Sequence, residues 1–361
     1  MLRTHRRFVP FLAAITTVAV AGVANAGTYS VTYVTEPSAS SRPTVIADDG
    51  TLYGETSVGI FSRPARWVGG TIQQVPGIDG TFTGVSSNGL RVSGTRTRSD
   101  FSLGAIRWNA VDGYEDLTEG LTGEGLAINN DGTLVGASGG DAVIFNPAGS
   151  PIVIRLSDGC PGFGARANGI NDAGQVAGIA IDANGRRRAF LYNPGQNTTE
   201  LAGLGGEESR ANAINASGWV VGAAERPVAD GGTRAMLWRD GLAFDLGISD
   251  GATSSEAVAI NASGVIIGND TTIGGFFQGT TAWIWNNGIR ADLNDLISPG
   301  QLTPGWTIDQ AVSINDAGQI LVRVFNAESF DSRYAVLNII PTPGAGAALV
   351  LAGLVAARRR R

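Results

Sequence analysis

Seven turns in this chain end in glycine, at Gly50, Gly89, Gly132, Gly174, Gly218, Gly264 and Gly318, and a short apolar run follows each. The successive spacings are 39, 43, 42, 44, 46 and 54 residues. A recurrence on that scale describes one supersecondary unit used repeatedly. Each copy is too small to bury its own apolar face and must stack on its neighbours.

The clearest copies run Gly125 to Gly136 (GLAINNDGTLVG), Ala167 to Gly178 (ANGINDAGQVAG), Ala211 to Gly222 (ANAINASGWVVG) and Ala257 to Gly268 (AVAINASGVIIG). Each reads as strand, tight turn and strand. The Asn of Ile-Asn-x-x-Gly, at Asn129, Asn171, Asn215, Asn261 and Asn315, can hydrogen-bond the backbone two residues on, and the Gly takes positive φ at no steric cost. A third apolar segment ends in an aromatic, as in Ala105 to Trp108, Ala142 to Phe145, Ala189 to Tyr192, Ala235 to Trp238 and Ala282 to Trp285. A fourth, weaker element places an acidic residue before leucine, at Asp116-Leu117, Glu200-Leu201, Asp245-Leu246 and Asp292-Leu293. Four strands in about 40 to 45 residues is the size of a β-propeller blade.

The chain ends favour a closed ring. The seventh repeat runs through a hairpin at Ile314 to Val324 and a third strand at Tyr334 to Ile340, and then meets Pro341 with no fourth strand left. An alternating strand, Thr28 to Val34, precedes the first hairpin. That spare strand is expected to complete the last blade as its outer strand and cover an edge otherwise open to other chains. The expected fold is therefore an all-β, seven-bladed propeller of four-stranded blades over 27–340. A parallel β-helix has shorter, more regular rungs and is the weaker alternative, with tandem sandwiches a third. The wide last spacing reads as loop insertion on one blade.

Residues 1–26 read as a signal peptide: basic Arg3, Arg6 and Arg7, an apolar middle from Phe8 to Val23, and Ala24-Asn25-Ala26 as the cleavage signal. At the other end Pro341-Thr342-Pro343-Gly344 precedes an apolar stretch from Ala345 to Ala357 and four arginines, Arg358 to Arg361. Thirteen helical residues rise about 20 Å, short of a bilayer core unless the flanks extend them. The arginines place the end of the tail on the cytoplasmic side. The segment 341–361 is thus expected to be a short apolar helix acting as a transient membrane anchor, and the protein to be exported to the cell surface or extracellular space.

Removing both ends leaves 19 arginines, no lysine and 32 acidic residues, a net of −13. Such a body is unsuited to nucleic acid, which demands clustered positive charge. The triplet Arg186-Arg187-Arg188 reads as a solvated hairpin tip. His5 is the single histidine and falls in the leader, and Cys160 is the single cysteine. Serine–histidine and cysteine–histidine nucleophiles, histidine metal sites, Schiff-base lysines and intramolecular disulfides are therefore absent from the body.

Carboxylates are what remain for catalysis. Asp48-Asp49, Glu207-Glu208 and Asp292 with Asp295 are the candidate pairs for a carbohydrate-active enzyme. They fall at turns or recur once per repeat, which favours a structural role, so the expectation is a non-enzyme with no catalytic residues. Calcium is the one cofactor considered: Asp48 to Gly50, Asn130 to Gly132, Asp182 to Gly185 and Asp316 to Gly318 offer hard oxygen donors, but none has the full spacing of a calcium loop, and an Asx-turn accounts for each. No metal or cofactor residue is therefore assigned. Trp108, Trp238, Trp283 and Trp285 read as packing between blades before they read as a sugar platform.

The repeat Ala-x-x-Ile-Asn-x-x-Gly-x-Val-Val-Gly, with Arg188-Ala189-Phe190-Leu191-Tyr192 and Leu201-Ala202-Gly203-Leu204-Gly205-Gly206, resembles the bacterial HAF-type extracellular repeats. The likeness spans Leu117 to Leu293, with arginine where that family has histidine. The tail resembles the bacterial PEP-CTERM sorting class, with Pro-Thr-Pro-Gly where Pro-Glu-Pro is common. Together these imply export and a repeat fold and bring no site residues. The expected role is a monomeric, non-catalytic interaction or structural module of the envelope or matrix. Its partner would be an extracellular polysaccharide or another envelope protein, met through the longer connections Ser57 to Arg63, Ala224 to Gly232, Asn269 to Thr280 and Ser298 to Gly305. A carbohydrate-active propeller enzyme and a calcium-stabilised structural protein are the alternatives.

Overall fold

A computed structural model describes residues 29–34, 41–59, 61–118, 121–145, 150–160, 164–229, 231–274 and 277–340. The expected signal peptide and C-terminal helix lie outside them. Among these residues twenty-eight strands form seven four-stranded antiparallel sheets, which makes the chain a seven-bladed β-propeller. Blade 5 is typical: Ser209–Ile214 is the inner strand, followed outward by Val220–Glu225, Thr233–Arg239 and Leu242–Asp245. The glycine tally matches the blade count, with blades at 42–74, 79–116, 124–154, 166–200, 209–245, 254–292 and 306–339.

Closure follows the expected clasp. Tyr29–Tyr33 pairs with Asp331–Ile339 as the outer strand of blade 7, from Tyr29 opposite Ile339 to Tyr33 opposite Ala335. Tyr29 is 5 % exposed and its carbonyl accepts from the Ser298 amide, so the clasp is tied to the blade 6–7 connection as well.

Burial is shared between blades. Val221, Ala235 and Leu237 of blade 5 pack against Ala257, Ile260, Ile266 and Trp283 of blade 6 in one buried cluster, and blades 3 and 4 do the same through Val135, Ile154, Val176 and Phe190. Each sheet offers two apolar faces that only a neighbouring sheet can cover.

Every inner strand carries a bulge that the repeat pattern did not announce. The register slips by one residue at Thr44, Thr83, Leu126, Asn168, Asn212, Val258 and Val312, the first x of Ala-x-x-Ile-Asn. The bulge explains the second glycine of the repeat. A Cβ on Gly54, Gly94, Gly136, Gly178, Gly222 or Gly268 would run into the carbonyl of Arg42, Thr81, Glu124, Arg166, Arg210 or Glu256 across the pair. Blade 7 takes a second slip between Ile308 and Gln310, and there the position is Val322.

Two expected loops are in fact strands. Val58 pairs with Phe61, and the span from Asn269 to Thr280 is mostly hairpin, paired out to Gly274 opposite Phe277. The residues that stretch the last spacing sit in this long blade 6 hairpin and in the 293–305 connection, with its single 3-10 turn Asn294–Leu296. Among the described residues no helix is long and apolar enough to cross a membrane.

Candidate functional site: the axial channel and its two faces

The seven Asx-Gly turns gather around one mouth of the central channel, because each links an inner strand to its neighbour at the same end. The channel encloses about 190 Å³, lined by Ile46, Val85, Ile128, Ile170, Ile214, Ile260 and Ile314 with the turn residues above them. Each motif isoleucine thus faces its counterparts from other blades.

The motif asparagines do more than stabilise their own turns. Asn215 accepts from the amides of Ser217 and Trp219, both at 3.0 Å, and its Nδ2 donates to the Asn261 carbonyl of the next blade at 3.1 Å. The same donation runs from Asn129 to Asn171, Asn171 to Asn215, Asn261 to Asn315 and Asn315 to Ala47. Five of the seven links in this amide girdle are made, and all five asparagines are buried to within 6 % exposure. The missing links belong to Ala47, which has no amide, and Ser86, whose hydroxyl is engaged with Asn88 and Arg91 of its own turn.

One residue further on, the channel mouth carries Asp48, Asp172 and Asp316. Asp48 accepts from the Asp316 amide at 2.7 Å, Asp316 from the Ala262 amide at 2.7 Å, and Asp172 from Asn130 at both its amide (2.9 Å) and side chain (2.6 Å). Burial pushes the Asp48 carboxyl above the ordinary range; the Asp316 amide opposes this, and the charges of Asp316 and Asp49 add to it. These carboxylates hold neighbouring blades in register through backbone N–H groups, much as the asparagines do.

The opposite end of the inner strands is built from ion pairs. Arg210 of blade 5 meets Glu256 of blade 6 in two bonds of 2.6 and 2.5 Å, Asn212 adds a third at 2.7 Å, and Arg166 pairs with Glu124 between blades 4 and 3. Burial raises the Glu256 carboxyl, yet the hydrogen bonds and charge of Arg210, with Asn212, outweigh it and hold the group below the usual carboxylate range.

The residues singled out from sequence are dispersed. Asp49 accepts from the Thr51 amide, Asp292 from Asn294, and Glu207 pairs with Arg186 at 3.2 Å, so one member of each carboxylate pair is held at a separate turn. Asp182 gives one oxygen to the amides of Asn184 and Arg186 and the other to Arg188. Arg186 and Arg187 are exposed, whereas Arg188 lies inward against Asp182, so only part of the triplet is a solvated tip. Among the described residues no group of three or more acidic, Cys or His side chains gathers to hold a metal. Trp108, Trp238 and Trp283 are buried between blades at 8, 4 and 1 % exposure; Trp285 is half-buried.

The face opposite the Asx turns shows what the sequence reading missed. There the turns joining second and third strands of blades 7, 1 and 2 project Phe330, Phe61 and Phe101, at 79, 42 and 77 % exposure. Val228 of blade 5 and Ile273 of blade 6 extend the arc at 92 and 64 %. Phe101 and Phe330 sit at φ 65° and 57°, the left-handed region that costs a bulky residue energy. A large apolar residue among turn formers, Ser99-Asp100-Phe101 and Glu328-Ser329-Phe330, was the available signal.

No family model matches the chain, and no curated protein is significantly similar to it. Solved structures that resemble it are propellers. The β-propeller domain of the Trilobed protease from Pyrococcus furiosus is 9 % identical, with a TM-score of 0.51 over 82 % of this chain and 94 % of that one. The protein assigned as TolB in Agrobacterium tumefaciens is 11 % identical, with a TM-score of 0.45 over 75 % of this chain and 95 % of that one. The Pyrococcus domain is reported with an open velcro topology, whereas here an N-terminal strand closes the last blade. At such identities the likeness is one of fold.

Proposed function

We propose that this chain is an exported, non-catalytic propeller of the cell envelope or matrix that binds a partner through the face bearing the blade-to-blade connections. One observation carries the reading: three consecutive blades hold phenylalanines out to solvent on that face, two of them in a costly backbone conformation. Exposed apolar side chains kept at such positions mark interaction surfaces. The carboxylates support a binding role over chemistry, since at least one member of each candidate pair is committed to a local turn or blade contact. Export rests on residues 1–26 and the apolar, arginine-ended tail.

An extracellular polysaccharide is the favoured ligand, with aromatic rings as stacking surfaces for sugar. The full chain and its Phe101→Ser/Phe330→Ser variant would be run on a glycan array and against matrix polysaccharide from the source organism. Binding by the parent and at least a tenfold loss in the variant is expected. Equal binding by the two, or none by the parent to any glycan, sinks this reading. A rival reading draws on Asp48, whose raised carboxyl lies beside Asp316 at the channel mouth. Release of reducing ends during the same incubation would establish it instead.

A further inference from the structure

The hairpin joining the second and third strands of blade 6 is the longest of the seven, with nine residue pairs where blades 2, 4 and 5 have six. Its last three pairs, Thr272 with Gly279, Ile273 with Gln278 and Gly274 with Phe277, lie beyond both neighbouring strands. The inner strand reaches only to Ser254 opposite Thr271, and the outer strand begins at Trp283 opposite Asp292. Among the described residues the outer edge of the third strand is therefore unpaired from Phe277 to Thr281.

Elsewhere the same edge is short or guarded. In blade 1 it carries Arg63 and Pro64, in blade 4 Arg187 and Arg188, in blade 5 Arg234, and in blade 7 Asp331 and Arg333; in blade 2 the Leu103 carbonyl already accepts from the Gly123 amide. Charge and proline on an edge are how folded chains keep other strands from adding to it. Blade 6 has neither. From Thr271 to Ile289 there are 19 residues without a charge, the longest such run between residues 29 and 340.

We propose that this edge pairs with the same edge of a second copy, antiparallel about a twofold axis, extending blade 6 of each copy into a continuous eight-stranded sheet. An antiparallel edge is its own complement, so one segment supplies both sides of the contact. Charge favours a copy at this place: the body carries a net of −13 and copies repel over most of it, but not along 271–289. A twofold that pairs all five edge residues puts Gly279 opposite itself. A side chain there meets nothing within 4 Å in the single chain.

The full chain, in detergent that solvates its terminal apolar segments, is expected to show twice the protomer mass by light scattering with the detergent subtracted. Gly279→Lys sets two like charges face to face and should return the mass to one protomer at an unchanged melting temperature. In a Cys160→Ser background, Gly279→Cys should form a disulfide-linked dimer on mild oxidation, and Gly203→Cys, on the blade 4–5 connection where a Cβ also has open space, should not. A one-protomer mass for the parent, a dimer indifferent to Gly279→Lys, or equal crosslinking at both cysteines overturns the proposal. None of these readouts depends on which ligand the propeller binds.

Discussion

Blades 3 to 7 and blades 1 to 2 solve one problem by different chemistry. In the first group a buried asparagine closes each turn and reaches the next blade's carbonyl. In the second, Ala47 and Ser86 stand in its place; the blade 2 turn keeps bonds from the Asn88 amide to Asn130 and from Asn130 to Ser87, and further contact lies down the strands. Thr44 and Thr83, both at the bulge, donate at 2.7 Å to the Phe82 and Gly125 carbonyls. Between blades 1 and 2 Tyr53 packs edge to face on Phe82 and Trp108, which are tilted against each other, with ring centroids 5.3 to 6.3 Å apart and Arg66 over the tryptophan. A ring needs every inter-blade contact to hold, but it tolerates a change in what holds each one.

The largest effect should come from breaking the aromatic side of this comparison. Phe82 is fully buried and touches both partner rings. Phe82→Ala should cost about 3–5 kcal/mol, read as a lowered urea midpoint. A cost below about 1 kcal/mol would mean that blades 1 and 2 are held mainly by their threonines.

Next in size is the amide side. Asn215→Ala removes two turn bonds and the link to blade 6, leaving the Asn261 carbonyl without that donor in a buried setting. The expected loss is about 2–3 kcal/mol in the same urea titration. Asn215→Asp separates the two roles: it keeps the acceptor for the Ser217 and Trp219 amides but loses the donor, and should fall between parent and alanine variant.

These two replacements mark what the sequence did and did not disclose. Blade number, the order of strands and the clasp were legible because apolar alternation and turn glycines are local signals, repeated seven times. The asparagines were legible only as turn residues. Their second role depends on a carbonyl 42 to 54 residues away, or 268 for Asn315 where the ring closes, which no local pattern encodes. The bulge was hidden for the same reason, although its trace, the invariant second glycine of the first six repeats, was in plain view. The exposed phenylalanines broke the pattern of polar turns, and a repeat-based reading averages such exceptions away.

A smaller effect tests whether the girdle can be extended. Ala47→Asn adds an amide where blade 1 lacks one. The turn there is already served by Asp49, which accepts from the Thr51 amide at 2.8 Å, so only the link toward blade 2 is new. A gain of up to about 1 kcal/mol is expected, seen as a raised urea midpoint. A loss would show that blade 1 packs too closely to its neighbour to admit the side chain.

The smallest effect concerns the carboxylate above that position and depends on pH. Burial and the charges of Asp316 and Asp49 raise the Asp48 carboxyl in the folded chain relative to the unfolded one. Ionisation is therefore easier after unfolding, so above the folded pKa the native state bears a cost that fades as pH falls below the unfolded value. Asp48→Asn keeps an oxygen to accept from the Asp316 amide and removes that cost. The site is exposed at the channel mouth, where solvent screens the charges, so the gain at pH 7 should be only a few tenths of a kcal/mol. It should vanish toward pH 3. A variant less stable than the parent at pH 7 would show that the full charge of Asp48, acting on the Asp316 amide, does more to hold blade 7 against blade 1 than its burial and its acidic neighbours take away.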